Sequence, residues 1–289
     1  MLKYIKQSIR RKKARRITKE YPYRISEYNL EQDGIIQFAN WENPLVNTIT
    51  ITQSEVNFFR KFINQGDFVI DIGANIGDTT VPIALAAGKE GVTLGVDPNP
   101  YVFKLLEVNA SLNKEKTNII PMLNAISTED RDYYYISSEA SFANGGISPT
   151  KDSKHGKFVY PNKVKGINLL GFLNKNYRDL LNKLSFIKID TEGYDKEIVK
   201  SITDLLLAHK PVIIVESFGK SPDEAKEELF EVINKNGYRL FYFEDFKDKT
   251  NIQEITIAKA MTNWRHTINI YALPNEKVDS SGNLIKGHP

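Results

Sequence analysis

Five short runs of this chain are apolar almost from end to end: "FVIDI" (Phe68–Ile72), "VTLGVD", "NIIPML", "SFIKID" and "PVIIVES". Neighbouring residues of a strand point to opposite faces, so a run that is apolar at both parities has to be covered on both faces. The segments between the runs have crossover length, and strands joined by crossovers lie parallel. Two further runs, "YRLFYF" and "TINIYAL", complete the pattern. The predicted fold is α/β, a doubly wound, mainly parallel sheet of seven strands. A chain of 289 residues that is 41% hydrophobic can bury one such domain and carry some appended pieces.

Helix signals fall between the runs. Thr52 and Glu55 form a capping-box pair that opens a helix over 55–65, with Val56, Phe59, Phe62 and Ile63 on one face and Gly66 beyond its end. A helix follows Asp78, its start delayed by Pro82. Another spans 101–113, with Val102, Phe103, Leu106 and Ala110 inward. Ser221-Pro222-Asp223-Glu224 starts a further one that Gly237 closes. Extended pieces are expected at 23–28 and 34–38. The stretch 125–184 is about twice a normal crossover. It holds an extra strand "RDYYYIS", in which Tyr133, Tyr134 and Tyr135 alternate, and a short helix near 167–173. Extra length at the ligand edge of a sheet shapes specificity.

The turn after the first run reads "DIGANIGD". A glycine-rich turn between a strand and a helix brings backbone N–H groups close to a ligand. Asn75 stands where a dinucleotide fingerprint has its second glycine, and Asp71 precedes the turn. A carboxylate there repels a pyrophosphate and suits a cationic amino group. Asp97 ends the second strand, where an acid accepts both hydroxyls of a ribose. An ammonium, an adenosine and no phosphate together describe S-adenosylmethionine. Asp71, Gly73, Asn75, Gly77 and Asp97 are the cofactor candidates, with Asn124 and Ala125 at the end of the third strand beside the adenine.

The segments "DFVIDIGANIGDTT", "DPNP" followed by "LLEVNASLN", and "KIDTEGYD" resemble the FkbM-type family of class I S-adenosylmethionine-dependent methyltransferases, over roughly 55–274. Asp97 replaces the glutamate usual in that family and keeps the acid. The resemblance implies a Rossmann-like methyltransferase sheet with a final antiparallel hairpin. It also implies O-methylation of a hydroxyl on a saccharide, polyketide or other small or glycan acceptor. The organisation expected is a basic arm over 1–19, an extended extension over 20–50, the methyltransferase domain over 51–274 with its enlargement at 125–184, and a tail over 275–289.

Methyl transfer to an alcohol needs in-line alignment and a group that takes the hydroxyl proton. "IKIDTEG" ends the fourth strand beside the cofactor turn. Alternation puts Lys188 and Asp190 on one face, where the lysine holds the aspartate ionised. Glu192 follows in the loop. Glu192 and Asp190, supported by Lys188, are the catalytic candidates, while Glu216, His155 and His266 are further candidate bases. Hard oxygen ligands at Asp190, Glu192 and Glu216 suit a divalent ion. No fixed spacing supports one, and no metal is assigned.

Of the 39 lysines and arginines, nine lie in residues 1–19, which hold no acid; the remaining 30 face 36 acidic residues. All the excess positive charge therefore sits in the arm, where Leu2, Ile5 and Ile9 form a short apolar stripe. Such an arm suits an anionic membrane surface and equally RNA, and a solvated tail that aids solubility or docks on an acidic neighbour is the third reading. The net acidic remainder is a poor RNA face. Asp190-Thr191-Glu192-Gly193 also lacks the Pro-Pro-aromatic element that grips a base amine. Ribose 2′-O-methylation of RNA and non-catalytic adenosyl binding stand as alternatives to saccharide O-methylation. No cysteine, no secretory signal and no apolar run of spanning length occur, so a cytoplasmic protein is expected, with peripheral contact at the inner face of a membrane where the arm takes its membrane reading.

Overall fold

The apolar runs form the centre of an α/β sheet in a computed structural model that describes residues 2–153, 155–191 and 193–279, residues 2–4 by their backbone. The strands are β1 (Tyr23–Leu30), β2 (Gly34–Trp41), β3 (Phe68–Ile72), β4 (Val92–Val96), β5 (Ile119–Met122), β6 (Ala125–Ser127), β7 (Arg131–Ser137), β8 (Gly146–Ser148), β9 (Phe158–Asn168), β10 (Leu184–Ile189), β11 (Val212–Ser217), β12 (Tyr238–Phe243), β13 (Ile252–Ile255) and β14 (Ile268–Pro274). The α-helices are α1 (Leu2–Ala14), α2 (Gln53–Phe59), α3 (Thr80–Ala87), α4 (Pro100–Ser111), α5 (Leu169–Asn176), α6 (Asp195–Ser201), α7 (Thr203–His209) and α8 (Asp223–Lys235). Among the described residues no helix is long and apolar enough to cross a membrane.

The main sheet runs β13-β12-β14-β11-β10-β3-β4-β5. Strands β11, β10, β3, β4 and β5 are mutually parallel, while β14 is antiparallel to both its neighbours. This is the class I methyltransferase arrangement, with eight strands instead of the expected seven. The extra one, β13, is a four-residue edge strand, Ile-Gln-Glu-Ile, with polar residues at its centre, so it forms no apolar run. Both faces of the centre are covered. Ile70, Ile187 and Ile213 pack on one side, and Val69, Phe186 and Ile214 on the other.

The stretch 125–184 builds a separate four-stranded sheet, β6-β9-β7-β8, and not the single extra strand expected. Its helix α5 starts two residues late because Ile167 and Asn168 still pair with β6. The Thr52–Glu55 capping box is present, but α2 ends at Phe59, six residues before the expected limit. In α4 the inward residues include Leu105, while Phe103 is only half-buried. Helix α8 begins after Pro222 without a side-chain cap, so Ser221 does not act as the capping residue.

The β1–β2 hairpin, expected only as extended pieces, is fastened to the domain by two asparagines of "LLEVNASLN". Buried Asn109 accepts from the backbone N of Ala39 (2.6 Å) and donates to Ala39 O (3.2 Å) and Ile76 O (2.7 Å). Asn113 makes the same amide pair with Gln37, both bonds 2.8 Å. Asn109 thus ties the hairpin to the turn after β3. The arm is helical over Leu2–Ala14.

Candidate active site

A cavity of about 500 Å³ opens at the C-terminal ends of β3, β4, β5 and β10, where open α/β sheets bind ligands. Of the cofactor candidates, Gly73, Asn75, Asp97, Asn124 and Ala125 line it, and so do Lys188 and Asp190. Asp71 and Gly77 do not. Asp71 is fully buried beneath the turn, and its Oδ2 accepts from the hydroxyls of Thr79 (2.9 Å) and Thr80 (2.7 Å). Parity explains its direction: it shares a face with Val69, on the side covered by α3. Gly77 has φ +97°, and a Cβ there would press on Leu106, so its role is to pass the chain into α3. Gly73, at φ +80°, is required by close packing. A Cβ would collide with the backbone oxygen of Asp190, which sits directly beside the turn.

Asp97 presents a carboxylate already oriented by the backbone. Its Oδ2 accepts from Asn75 N (2.8 Å) and its Oδ1 from Asn99 N (2.7 Å). Asn75 holds a left-handed φ of +49° to aim that N–H. Each oxygen keeps a lone pair for a ligand hydroxyl. Burial pushes the Asp97 carboxyl up to about 7, against the lowering effect of those two N–H groups. Asp78, which sequence reasoning passed over, lines the cavity beside Thr79 and is pushed up to about 6 by burial, with the Lys188 charge opposing. The cavity therefore offers carboxylates at Asp97, Asp78 and Asp190. Such a donor set fits a ribose and an ammonium and repels a pyrophosphate, so the residues present fit S-adenosylmethionine.

Lys188 joins the two strands of the site. It lies in register with Asp71, and its Nζ sits 3.4 Å from Asp71 Oδ1 and 3.2 Å from Asp190 Oδ2. Asp71 Oδ1 has no hydrogen-bond partner, so that oxygen is stabilised by the lysine charge alone. Burial alone would lower the Lys188 pKa, but Asp190, Asp71 and Asp78 more than offset it and raise it, so the side chain stays protonated.

Glu192 lies outside the described residues; Thr191 and Gly193 on either side of it line the cavity. A second residue missed in the sequence, Asp195, organises this loop from the first position of α6. Its Oδ2 accepts from Thr191 Oγ1 (3.0 Å) and Gly193 N (3.3 Å), and its Oδ1 from Glu216 N (3.2 Å). The carboxyl is pushed up to about 6, by burial first and then by the Asp190 charge. An acid in the first turn of a helix just after a glycine was the available signal. Glu216 lines not the cavity but an adjoining groove, and the two meet at Asn144, Gly145, His155 and Gly193. His155 is therefore at the junction, while His266 lines neither space. Tyr133 and Tyr135 are buried and line the cavity, whereas Tyr134 turns outward between Lys151 and Lys163, as strand alternation requires.

Two outcomes follow from the Asp97 environment. Asp97→Ala is expected to weaken S-adenosylmethionine binding by about 1–3 kcal/mol, measurable by calorimetry. Affinity is also expected to rise with pH and level off above about 7, falling roughly tenfold per unit below it, because binding to the carboxylate must first displace a proton. The free protein responds in the opposite sense. A carboxyl whose folded pKa is raised from 3.8 to about 7 binds its proton more tightly when folded. Its contribution to stability is therefore lost as pH climbs through that window. A flat affinity profile from about pH 5 to 8 contradicts this assignment.

The methyltransferase FkbM domain model matches residues 71–240. No curated protein matches the sequence. Among solved structures, the chain is similar to methyltransferase FkbM from Methylobacillus flagellatus KT, with 13% identity over 73% of this chain and 44% of that one and a TM-score of 0.45. It is also similar to precorrin-6y C5,15-methyltransferase from Geobacter metallireducens GS-15, with 11% identity over 79% and 93% and a TM-score of 0.42. A third similarity is to M. jannaschii TYW2 in complex with AdoMet, with 15% identity over 89% of each chain and a TM-score of 0.38.

Proposed function

We propose that this chain, which belongs to the FkbM-domain methyltransferase family, transfers a methyl group from S-adenosylmethionine to a hydroxyl oxygen, and that the acceptor is a saccharide. The observation that carries the reading is the Lys188–Asp190 pair at the end of β10, facing the same cavity as Asp97. When bound, S-adenosylmethionine supplies a methyl group on a sulfonium, a leaving group that needs no activation. The work left to the protein is alignment, exclusion of water and removal of one proton.

Asp97 would take the two ribose hydroxyls. Asp78 and Thr79 would meet the amino-acid end, and Asn124 and Ala125 would flank the adenine. Asp190, held by Lys188, accepts a hydrogen bond from the acceptor hydroxyl. Glu192, in the loop that Asp195 braces, takes the proton as the oxygen forms its new bond. Tyr133 and Tyr135 offer apolar surface for a sugar ring. A carboxylate set of this kind serves a hydroxyl, whereas a base amine calls for a planar aromatic grip.

Incubating the protein with S-adenosylmethionine labelled in its methyl group, across nucleotide sugars, lipid-linked glycans and RNA, tests the reading. Label in a glycan supports it. Label only in RNA, in an alkali-resistant ribose linkage, would put ribose 2′-O-methylation in its place. Cofactor binding with no transfer to any class would favour a purely adenosyl-binding protein.

A further inference from the structure

Nine positive charges precede the first acid of the chain, and helix α1 carries six of them within Leu2–Ala14. Ile5 and Ile9, four residues apart and hence on one face, are about half exposed (48% and 49%). Apolar side chains held in water between lysines and arginines do nothing for the packed domain. They do fit the boundary between lipid headgroups and acyl chains, where the charges meet anionic lipid.

The helix is not loose from the site. Ala14 is buried, Arg15 O accepts from Ala140 N (3.2 Å), and Arg15 Nε lies 3.9 Å from Glu139. The segment it docks on runs straight into the rim of the cavity. Phe142, at φ +53°, stacks on Tyr101 (4.8 Å between centroids), and its carbonyl accepts from Asn99 Nδ2 (2.8 Å). Ala143, Asn144 and Gly145 then line the cavity. The segment 139–145 therefore touches the end of the arm at Arg15 and the cavity at Ala143–Gly145.

We infer that α1 is a docking surface for an anionic lipid bilayer, which places the cavity rim at the membrane so that the acceptor is a saccharide carried on lipid. The identity of that acceptor rests on the saccharide reading above, while the bilayer contact does not. A nucleic acid would satisfy the charges but would leave Ile5 and Ile9 in water, and the remainder of the chain, 30 basic against 36 acidic residues, repels it. Lipid answers both features.

The test uses the full chain and sedimentation with two vesicle types, phosphatidylcholine alone and phosphatidylcholine with about one-third phosphatidylglycerol. Calorimetry with S-adenosylmethionine runs on every variant to show that the cofactor site is intact. Binding is expected to the anionic vesicles only, and to fall at least tenfold between about 0.05 and 0.5 M salt. The double substitution Ile5→Ser and Ile9→Ser keeps every charge, and Lys12→Gln with Lys13→Gln keeps the apolar face. Each pair is expected to weaken vesicle binding about tenfold or more, with cofactor affinity unchanged. The inference is overturned by equal binding to both vesicle types, by no binding to either, or by serine variants that bind like the parent. It is also overturned if single-stranded RNA is retained while vesicles are not. If vesicles bind as expected and no saccharide accepts label, the saccharide reading fails and the membrane contact stands.

Discussion

Lys188→Met is expected to destabilise the folded protein by about 3–5 kcal/mol, the scale for removing one partner of a buried ion pair. The lysine is 2% exposed and its partner Asp71 is fully buried. Methionine fills much of the same volume, so the loss comes from charge and not from a cavity. Asp71 Oδ1, which has no hydrogen-bond partner, would be left uncompensated in the interior. The same lysine holds Asp190, so the defect reaches the cavity. Chemical denaturation of the cofactor-free protein measures the loss. Combining Lys188→Met with Asp71→Asn should recover a good part of it, because the buried charge is then gone. A single variant as stable as the parent, or a double variant no better than the single one, contradicts this account of the pair.

Asp190→Asn and Glu192→Gln are each expected to lower turnover about 100-fold or more, the scale of losing a general base or the group that orients its proton, while leaving S-adenosylmethionine affinity within about twofold. Asp97 and Asp78 are the residues proposed to hold the cofactor, so on that reading binding and turnover should separate. Loss of binding together with turnover would instead make either residue a cofactor ligand. If both variants keep turnover, the proton goes elsewhere, and His155 at the junction of cavity and groove becomes the residue to replace.

What the sequence made legible follows from what leaves a periodic trace. Strand β3 is buried at all five positions, and an unbroken apolar run is the signature of a strand covered on both sides. Asp97, Asp190 and the glycine turn were legible because a charge or a glycine at the end of such a run has few structural uses. The roles within the turn are not legible in the same way: the sequence points Asp71 at a ligand, whereas its parity with Val69 sends it under α3, and Gly73 answers to the Asp190 backbone. The four-stranded sheet of 125–184 escaped because β6 and β8 have three residues each and β9 is half exposed, so none forms an apolar run. Asp78 and Asp195 matter through tertiary placement. The charges around Asp78 come from Lys188 and Asp190 on a distant strand end, and Asp195 reaches across to Glu216 N of β11, which no local spacing records.

The central claim is that the methyl group ends on an oxygen of a saccharide. The most direct measurement is nuclear magnetic resonance of the product formed with S-adenosylmethionine carrying a carbon-13 methyl group and a glycan acceptor, with Asp190→Asn as the control. The expected result is a single new methyl-ether carbon correlated to a sugar ring proton, present with the parent protein and nearly absent with the variant. A label attached to nitrogen or carbon, or a methyl ether formed equally by the variant, would contradict the claim.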